Sequence, residues 1–276
     1  MISAVVFSKN RAAQLHLALH SIQKNFPDIS DISVLYTYTD DEFKRGYEIA
    51  QEHFPSLDRV SWVEESQFKK DTMSILEKAE NHVCFFTDDD IVYRKVFDSA
   101  ENICSVFDEY SDLFTLSLRL GKNTYMQNVW RGIYCEFPQQ TAMVNNTYVL
   151  WNWRTLVSPD GYYSYPFSVD GHIYRTQEVI NILSKYDFDT PNGLEGKAAY
   201  EYRDDMQEVM ACYHFSCLVN TPINIVGSSE NMSGLVFGES LEKLNHRYVN
   251  GEVPDFESMD FSDVKSPHQE IKLEFK

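Results

Sequence analysis

The sequence predicts an α/β protein with a mainly parallel central sheet flanked by helices, and three observations support this fold class. The first hundred residues alternate between short apolar runs and segments in which apolar residues recur at helical spacing. Each apolar run ends in polar or acidic residues, as expected where parallel strands reach one edge of a sheet. The chain has 276 residues, of which 43% are hydrophobic and 24% charged, so it can bury a substantial core.

The elements of the first half follow one another in a regular order. The β-branched run at 2–7 predicts a buried strand, and Leu15, Leu19 and Ile22 then follow helical spacing. Two more strand–helix units precede a fourth strand, HVCFFT. The predicted strands cover 2–7, 32–38, 59–65 and 82–87, with a helix in each interval. This repetition favours a parallel sheet with helices on both faces.

The second half, from about residue 113, is richer in Tyr, Trp, Asn and Gly, and its elements are harder to assign. The runs LFTLSLRLG, TYVLWNWR and CLVNTPINIVG predict strands. SVDGHIYRTQEVINILSKY predicts a turn followed by a helix, and GLEGKAAYEYRDDMQEVMACY predicts another helix. After Gly251 the chain is acidic and irregular. Because no linker separates the halves, we predict a single domain over 1–276 with two sub-regions, 1–112 and 113–276.

Charge and hydropathy argue against nucleic-acid binding and against a membrane-spanning segment. The net charge of −18 disfavours nucleic acid, because most of the surface repels a polyanion. No apolar run approaches the roughly 18 residues that cross a bilayer, and the N-terminus lacks the basic lead-in of a secretory signal. We therefore expect a cytoplasmic protein with at most peripheral membrane contact.

The stretch HVCFFTDDDIVYR carries the clearest chemical signal. A buried strand delivers Asp88, Asp89 and Asp90 to one point, where three carboxylates raise one another's pKa unless a cation neutralises them. Magnesium or manganese is suited to this task. If the strand continues through the triplet, Asp88 and Asp90 share one face and Asp89 the other. The alternative is a solvated turn or a helix cap, although a cap needs only one Asp.

This pattern resembles the GT-A glycosyltransferases, whose DxD motif binds a divalent metal that holds the diphosphate of a nucleotide-sugar donor. The opening VVFSKNRAAQLHLALHSI is also similar to the first strand and helix of that family. The resemblance implies that Asp88 and Asp90 bind Mn²⁺ or Mg²⁺ and the donor, that Asp89 binds the ribose or the metal, and that Arg11 contacts the diphosphate or base. It assigns 1–112 to donor binding and 113–276 to acceptor binding.

Three further residues are candidates for the same site. Ser8 ends the first strand, where the following helix N-terminus favours an anion; a simple helix cap is the alternative. Lys69 precedes the strand that leads to the acidic triplet, so it is a candidate for the diphosphate, with a surface lysine as the alternative. In the resemblance, a C-terminal histidine completes the metal shell in some members. His268 fits that role, against the alternative of a surface histidine in the tail.

Two carboxylates are candidates for the acid–base chemistry. Glu195, in TPNGLEGKAAY, lies near a predicted helix start, where a glutamate also suits the helix dipole. The resemblance implies a late carboxylate that deprotonates the acceptor hydroxyl, and Glu195 is the first candidate for this base. Asp170, in the turn of YPFSVDGHIYRT, is the second candidate and an alternative contact for donor hydroxyls; an Asx turn is its structural reading.

Three functions remain open from the sequence. The first is a metal-dependent glycosyltransferase with a carbohydrate or glycolipid acceptor, in bacterial surface polysaccharide synthesis at the inner face of the cytoplasmic membrane. The second is a nucleotidyltransferase that makes nucleotide sugars, although FSKNRAAQ lacks the Gly-rich basic loop such enzymes carry. The third is a non-catalytic carbohydrate-binding protein, which explains the aromatic residues but not the buried delivery of three acids.

Overall fold

The computed structural model describes residues 1–55, 59–156, 161–226 and 232–276, and these residues form a mixed α/β fold. The strands are β1 Ile2–Lys9, β2 Asp31–Thr37, β3 Val60–Glu64, β4 His82–Thr87, β5 Asp90–Val92, β6 Leu113–Ser117, β7 Met126–Asn128, β8 Ile133–Tyr134, β9 Ala142–Val144, β10 Tyr148–Asn152, β11 His172–Arg175, β12 Val209–Tyr213 and β13 Leu218–Asn220. The helices are α1 Ala12–Asn25, α2 Asp41–His53, α3 Phe68–Leu76, α4 Ala100–Glu109, α5 Thr176–Leu183, α6 Pro191–Glu201 and α7 Leu241–Val249.

The central sheet has nine strands in the order β3-β2-β1-β4-β11-β6-β12-β10-β9. The strands of the first half, β3-β2-β1-β4, are parallel to one another. Alternate residues of β1 enter different cores: Ala4 and Val6 pack on one face, and Val5 and Phe7 on the other. The sheet is therefore covered on both faces, and the predicted fold class is confirmed.

The second half departs from the predicted elements at β11. The sequence predicted only a turn and then a helix here, but His172–Arg175 forms a strand antiparallel to both β4 and β6 before α5 begins. His172, Ile173 and Tyr174 are all buried, so this strand lacks the alternation of buried and exposed residues by which a strand is predicted from sequence. The antiparallel pairing brings the start of β11 to the end of β4. Asp170, predicted to lie in a turn, consequently meets Thr87 at the sheet edge.

Two other predictions for the second half are corrected. The long predicted helix ends at Glu201, and its last residues instead form β12 in the central sheet. The acidic tail, predicted to be irregular, has little regular structure but is held against the protein. Asn220 exchanges backbone hydrogen bonds with Pro267 and Gln269, which places His268 beside β13. In the described ranges, no helix has both the length and the apolar character needed to cross a membrane.

The turn at Asp170–Gly171 is tightly packed, which gives a testable prediction for stability. Gly171 has φ +66°, and an added Cβ would lie 2.7 Å from Leu218 Cδ1. We expect Gly171→Ala to lower the free energy of unfolding by about 2–4 kcal/mol, from left-handed backbone strain plus overpacking. Gly132→Ala is the control, because Gly132 has φ +63° but open space around its Cβ position, so about 1 kcal/mol is expected. Equal losses in urea denaturation would contradict the packing part of this account.

Candidate active site

The acidic triplet lies at the carboxyl end of β4, but it is a turn rather than a continuing strand. β4 ends at Thr87, Asp88 and Asp89 form the turn, and Asp90 begins β5. The predicted alternation of the three side chains is therefore wrong. Asp88 Oδ2 accepts hydrogen bonds from Ser8 Oγ at 2.9 Å and from the Lys9 N–H at 3.1 Å. Ser8 thus holds Asp88 instead of presenting a free hydroxyl.

Arg11 neutralises the turn. Its Nη1 lies 2.9 Å from Asp88 Oδ1 and 2.9 Å from Asp89 Oδ2. The same guanidinium donates from Nε to Asn224 Oδ1 at 2.8 Å and from Nη2 to the Asn224 carbonyl at 2.6 Å. Arg11 therefore lies at the acidic turn, and it also fixes the loop that carries Asn224. Burial raises the pKa of Asp88 to about 6, against the opposing effect of Arg11.

Asp90 is the most deeply buried of the three acids, with no exposed surface. Its Oδ2 accepts the Thr87 N–H at 2.9 Å and its Oδ1 accepts from Asn220 Nδ2 at 3.1 Å. Burial and the neighbouring charges of Asp170 and Asp89 raise its pKa well above the ordinary value. Asp88 and Asp90 consequently bind different partners and do not form the shared face that the metal prediction assumed.

Asp170 belongs to a second buried ion pair, with Arg119 of the segment after β6. Arg119 Nη1 lies 2.8 Å from Asp170 Oδ2 and 2.9 Å from His268 Nε2. Because a guanidinium only donates, His268 Nε2 accepts and Nδ1 donates to Asn220 Oδ1 at 3.2 Å. Burial and Arg119 lower the pKa of His268 to about 4, so the imidazole is neutral near pH 7. The tail histidine thus lies at the site.

Glu195 lies in α6, five residues after its Thr190 cap, and faces the Asp170 loop. Its Oε2 accepts the Val169 N–H at 2.9 Å and is 3.3 Å from Ser168 Oγ. Burial, and next the charge of Asp170, raise the pKa of Glu195 to about 7. A carboxyl group with this pKa is partly ionised at neutral pH and can take up a proton. The two candidates for the acid–base residue therefore lie together at the same rim as the acidic turn.

Lys69 is not brought to this cluster by any contact of the described residues. Its ammonium pairs with Asp187 Oδ1 at 3.0 Å and lies over the Phe188 ring. The aromatic residues upstream of Asp170 differ in their surroundings. Trp151, Trp153 and Tyr163 are core residues, whereas Tyr162 stacks on His268 with ring centroids 5.5 Å apart. Tyr162 therefore lies at the site through His268, and Tyr165 lies there because its side chain interacts with Glu195.

The described residues do not fit a divalent cation as they are placed. No group of three His, Cys, Asp or Glu side chains in ranges 1–55, 59–156, 161–226 and 232–276 is arranged to hold one. Asp88 and Asp89 are both bonded to Arg11, and Asp170 is bonded to Arg119. Guanidinium groups thus bond to two of the three predicted ligands, Arg11 to Asp88 and Arg119 to His268. The roles of Asp88, Asp90 and His268 as ligands stay predictions.

Three residues of the site were missed by the sequence analysis: Arg119, Asn220 and Asn224. Arg119 left a signal, because it is the single charged residue of the apolar run LFTLSLRLG, and an arginine is fully buried only when it is paired. Asn220 and Asn224, in CLVNTPINIVG, left none beyond their polarity. Asn220 Nδ2 reaches Thr87 Oγ1, Asp89 Oδ1 and Asp90 Oδ1. It therefore connects the acidic turn to His268.

Comparisons with known proteins find a distant sequence similarity to a glycosyltransferase. No protein-family model matches the chain. Over 219 residues the chain is 27% identical to the bifunctional glycosyltransferase pgtA of Dictyostelium discoideum, a match that covers 73% of this chain. The chain spans only 27% of the length of that relative. The similarity confirms the resemblance to glycosyltransferases that the sequence predicted.

Two solved structures are distantly similar to the chain, and one of them is named a galactosyltransferase. S. aureus TarS 1–349 in complex with UDP is 18% identical, with a TM-score of 0.44, over 76% of this chain and 57% of that one. The galactosyltransferase LgtC in complex with donor and acceptor sugar analogues is 11% identical, with a TM-score of 0.37, over 75% of this chain and 67% of that one. These are distant likenesses, and the geometry above is that of this chain alone.

Proposed function

We propose that the chain is a glycosyltransferase that moves a sugar from a nucleotide-diphosphate sugar to a hydroxyl group of a carbohydrate or glycolipid acceptor. One observation carries the proposal: Glu195, a carboxyl group with a pKa of about 7, lies beside Asp170 at the same sheet edge as the acidic turn. In parallel α/β sheets, this edge is where ligands bind. The similarity to a named glycosyltransferase supports the same conclusion.

In the proposed reaction, Glu195 takes the proton of the acceptor hydroxyl. The acceptor oxygen forms a bond to the anomeric carbon of the donor, and the bond from that carbon to the diphosphate oxygen breaks. The nucleoside diphosphate leaves with the bonding electrons. Asp170 is the poorer base, because Arg119 and Thr87 both engage its oxygens. Its role is to fix the loop whose Val169 N–H holds Glu195.

On the donor side, we propose that the diphosphate approaches Arg11, which is the guanidinium at the acidic turn. Phosphate oxygens are strong acceptors for such a group. Exchange of Asp88 and Asp89 for phosphate on Arg11 would leave these carboxylates uncompensated, which is the condition that favours Mn²⁺ or Mg²⁺. The cation therefore stays a proposal, as does a setting in bacterial surface polysaccharide synthesis, and no step above depends on either.

A thermal-shift panel tests the proposal. The protein is melted with UDP-, GDP-, CMP- and dTDP-sugars, each with manganese and with EDTA, and we expect one nucleotide sugar to raise the Tm. A ligand present at 100 times its Kd stabilises the folded protein by about 2.7 kcal/mol, which raises the Tm by several degrees. A response to manganese in addition supports the cation. If no nucleotide sugar raises the Tm under either condition, the proposed function is wrong; a response only to a nucleoside triphosphate with a sugar phosphate favours nucleotidyl transfer.

A further inference from the structure

An exposed aromatic surface lies directly beside Glu195 and has no role in the account above. Tyr200, near the end of α6, is 61% exposed, although large aromatic side chains are usually covered. Its ring contacts that of Tyr165 at 5.8 Å between centroids and an interplanar angle of 64°. The hydroxyl of Tyr165 in turn lies close enough to the carboxylate of Glu195 for the two groups to shift each other's pKa. The two rings therefore form a continuous path from solvent to Glu195.

Gly196 opens space on the same surface. It lies one residue after Glu195 and four before Tyr200, so Gly196 and Tyr200 are neighbours on one helix face. A Cβ added at Gly196 would meet nothing within 4 Å. Glycine inside a helix costs up to about 1 kcal/mol relative to alanine, and nothing in the packing requires it here. The surface at Gly196 is therefore open beside the Tyr200 ring.

We infer that Tyr165, Gly196 and Tyr200 form the acceptor subsite, which takes the ring of a neutral pyranoside and directs one of its hydroxyl groups to Glu195. This inference rests on the proposed glycosyl transfer and names its acceptor class. A sugar ring has an apolar C–H face that packs on an aromatic ring, and hydroxyl groups at its edge that suit the polar surroundings of Glu195. The net charge of −18 favours a neutral acceptor over a phosphorylated one.

The direct test is binding of methyl glycosides of neutral hexoses and N-acetylhexosamines, measured by ligand-observed NMR with the nucleoside diphosphate present. We expect the best glycoside to bind about tenfold more weakly to Tyr200→Ala, and Tyr200→Phe to bind like the wild type, because the phenyl ring keeps the stacking surface. Gly196→Leu, which places a side chain in the open space beside the Tyr200 ring, is expected to weaken binding by a similar factor. In each variant the nucleotide affinity stays unchanged.

Phe97→Ala is the matched control, because Phe97 is also exposed, at 75%, but lies away from the site. The preceding residue, Val96, hydrogen-bonds Asn25, which is at the opposite end of α1 from Arg11. Unchanged glycoside affinity in Tyr200→Ala overturns the inference, as does the absence of binding by every methyl glycoside. Binding of octyl but not methyl glycosides also overturns it, since an alkyl chain would then be the occupant. None of these results affects the nucleotide-sugar melting experiment, so failure of the subsite and failure of the proposed function are distinguishable.

Discussion

Glu195→Gln is expected to lower the rate of sugar transfer by about 10²–10⁴-fold, the usual contribution of a general base. The amide has nearly the same shape and still accepts the Val169 N–H through its carbonyl oxygen, but it cannot take up the proton of the acceptor. Nucleotide binding, measured by calorimetry, should stay within about twofold of the wild type. The measurement is kcat with a saturating donor and the best glycoside of the NMR panel.

The same role predicts a pH dependence with a defined sign. Burial raises the pKa of Glu195 to about 7, and only the ionised carboxylate accepts a proton. The rate should therefore rise with pH up to about 7 and level off above it. Below the pKa, each pH unit should cost about tenfold. An unperturbed glutamate would level off near pH 4.3 instead.

Glu201→Gln provides a control on the same helix, because Glu201 is exposed and lies at the last position of α6. It should leave both the rate and its pH profile unchanged. Full activity in Glu195→Gln, or a wild-type profile that is flat between pH 5 and 8, would remove Glu195 as the base. Asp170 would then be the carboxylate to test.

The first half of the fold was predictable because its strands are short apolar runs that end in polar residues. The fourth predicted strand, 82–87, matches β4 residue for residue, and the acidic triplet follows it at the sheet edge. What the sequence did not reveal was the path of the chain after Thr87. A turn at Asp88–Asp89 and a strand that begins at Asp90 leave no local mark, because Ile91 and Val92 are apolar in either arrangement.

The rest of the site depends on contacts between distant parts of the chain, and periodicity carries no information about them. Asp170 reaches Thr87 only because β11 inserts antiparallel beside β4. His268 reaches the site because its segment forms a β-bridge with Asn220, 48 residues earlier, and its ring hydrogen-bonds the Asn220 side chain. The prediction of His268 came from the family resemblance, and the structure places it beside Asp170 through Arg119. A histidine at the site was therefore predictable, whereas Arg119 as its partner was not.

The two arginines explain how so many carboxylates can be buried at one edge. Arg11 serves Asp88 and Asp89, and Arg119 serves Asp170, so each guanidinium offsets charge that burial would otherwise oppose. Asp90 and Glu195 have no cationic partner among the salt bridges of the described residues. The pKa of Asp90 is raised well above the ordinary value, and that of Glu195 is raised to about 7. Removal of either guanidinium with nothing in its place would leave buried carboxylates uncompensated.

Arg119→Met is therefore expected to lower the free energy of unfolding by about 3–5 kcal/mol, since removal of one partner leaves the buried Asp170 uncompensated. Arg119 is only 1% exposed, so water cannot replace the lost partner without rearrangement. The measurement is urea denaturation near pH 7. The double variant Arg119→Met/Asp170→Asn should recover part of the loss, because the amide carries no charge to bury.

A second consequence separates the electrostatic role of Arg119 from its packing. Arg119 acts to lower the pKa of Glu195, so its removal should move the rise in the pH–rate profile to a pH above 7. Lys272→Met is the stability control, because it removes an exposed ion pair instead of a buried one. Lys272 pairs with Glu274, and the lysine side chain is 64% exposed. Exposed pairs of this kind contribute about 0–1 kcal/mol to stability. A loss in Arg119→Met no larger than in this control would show that the buried pair does not hold the site together, and an unmoved profile would show that Arg119 does not tune the base.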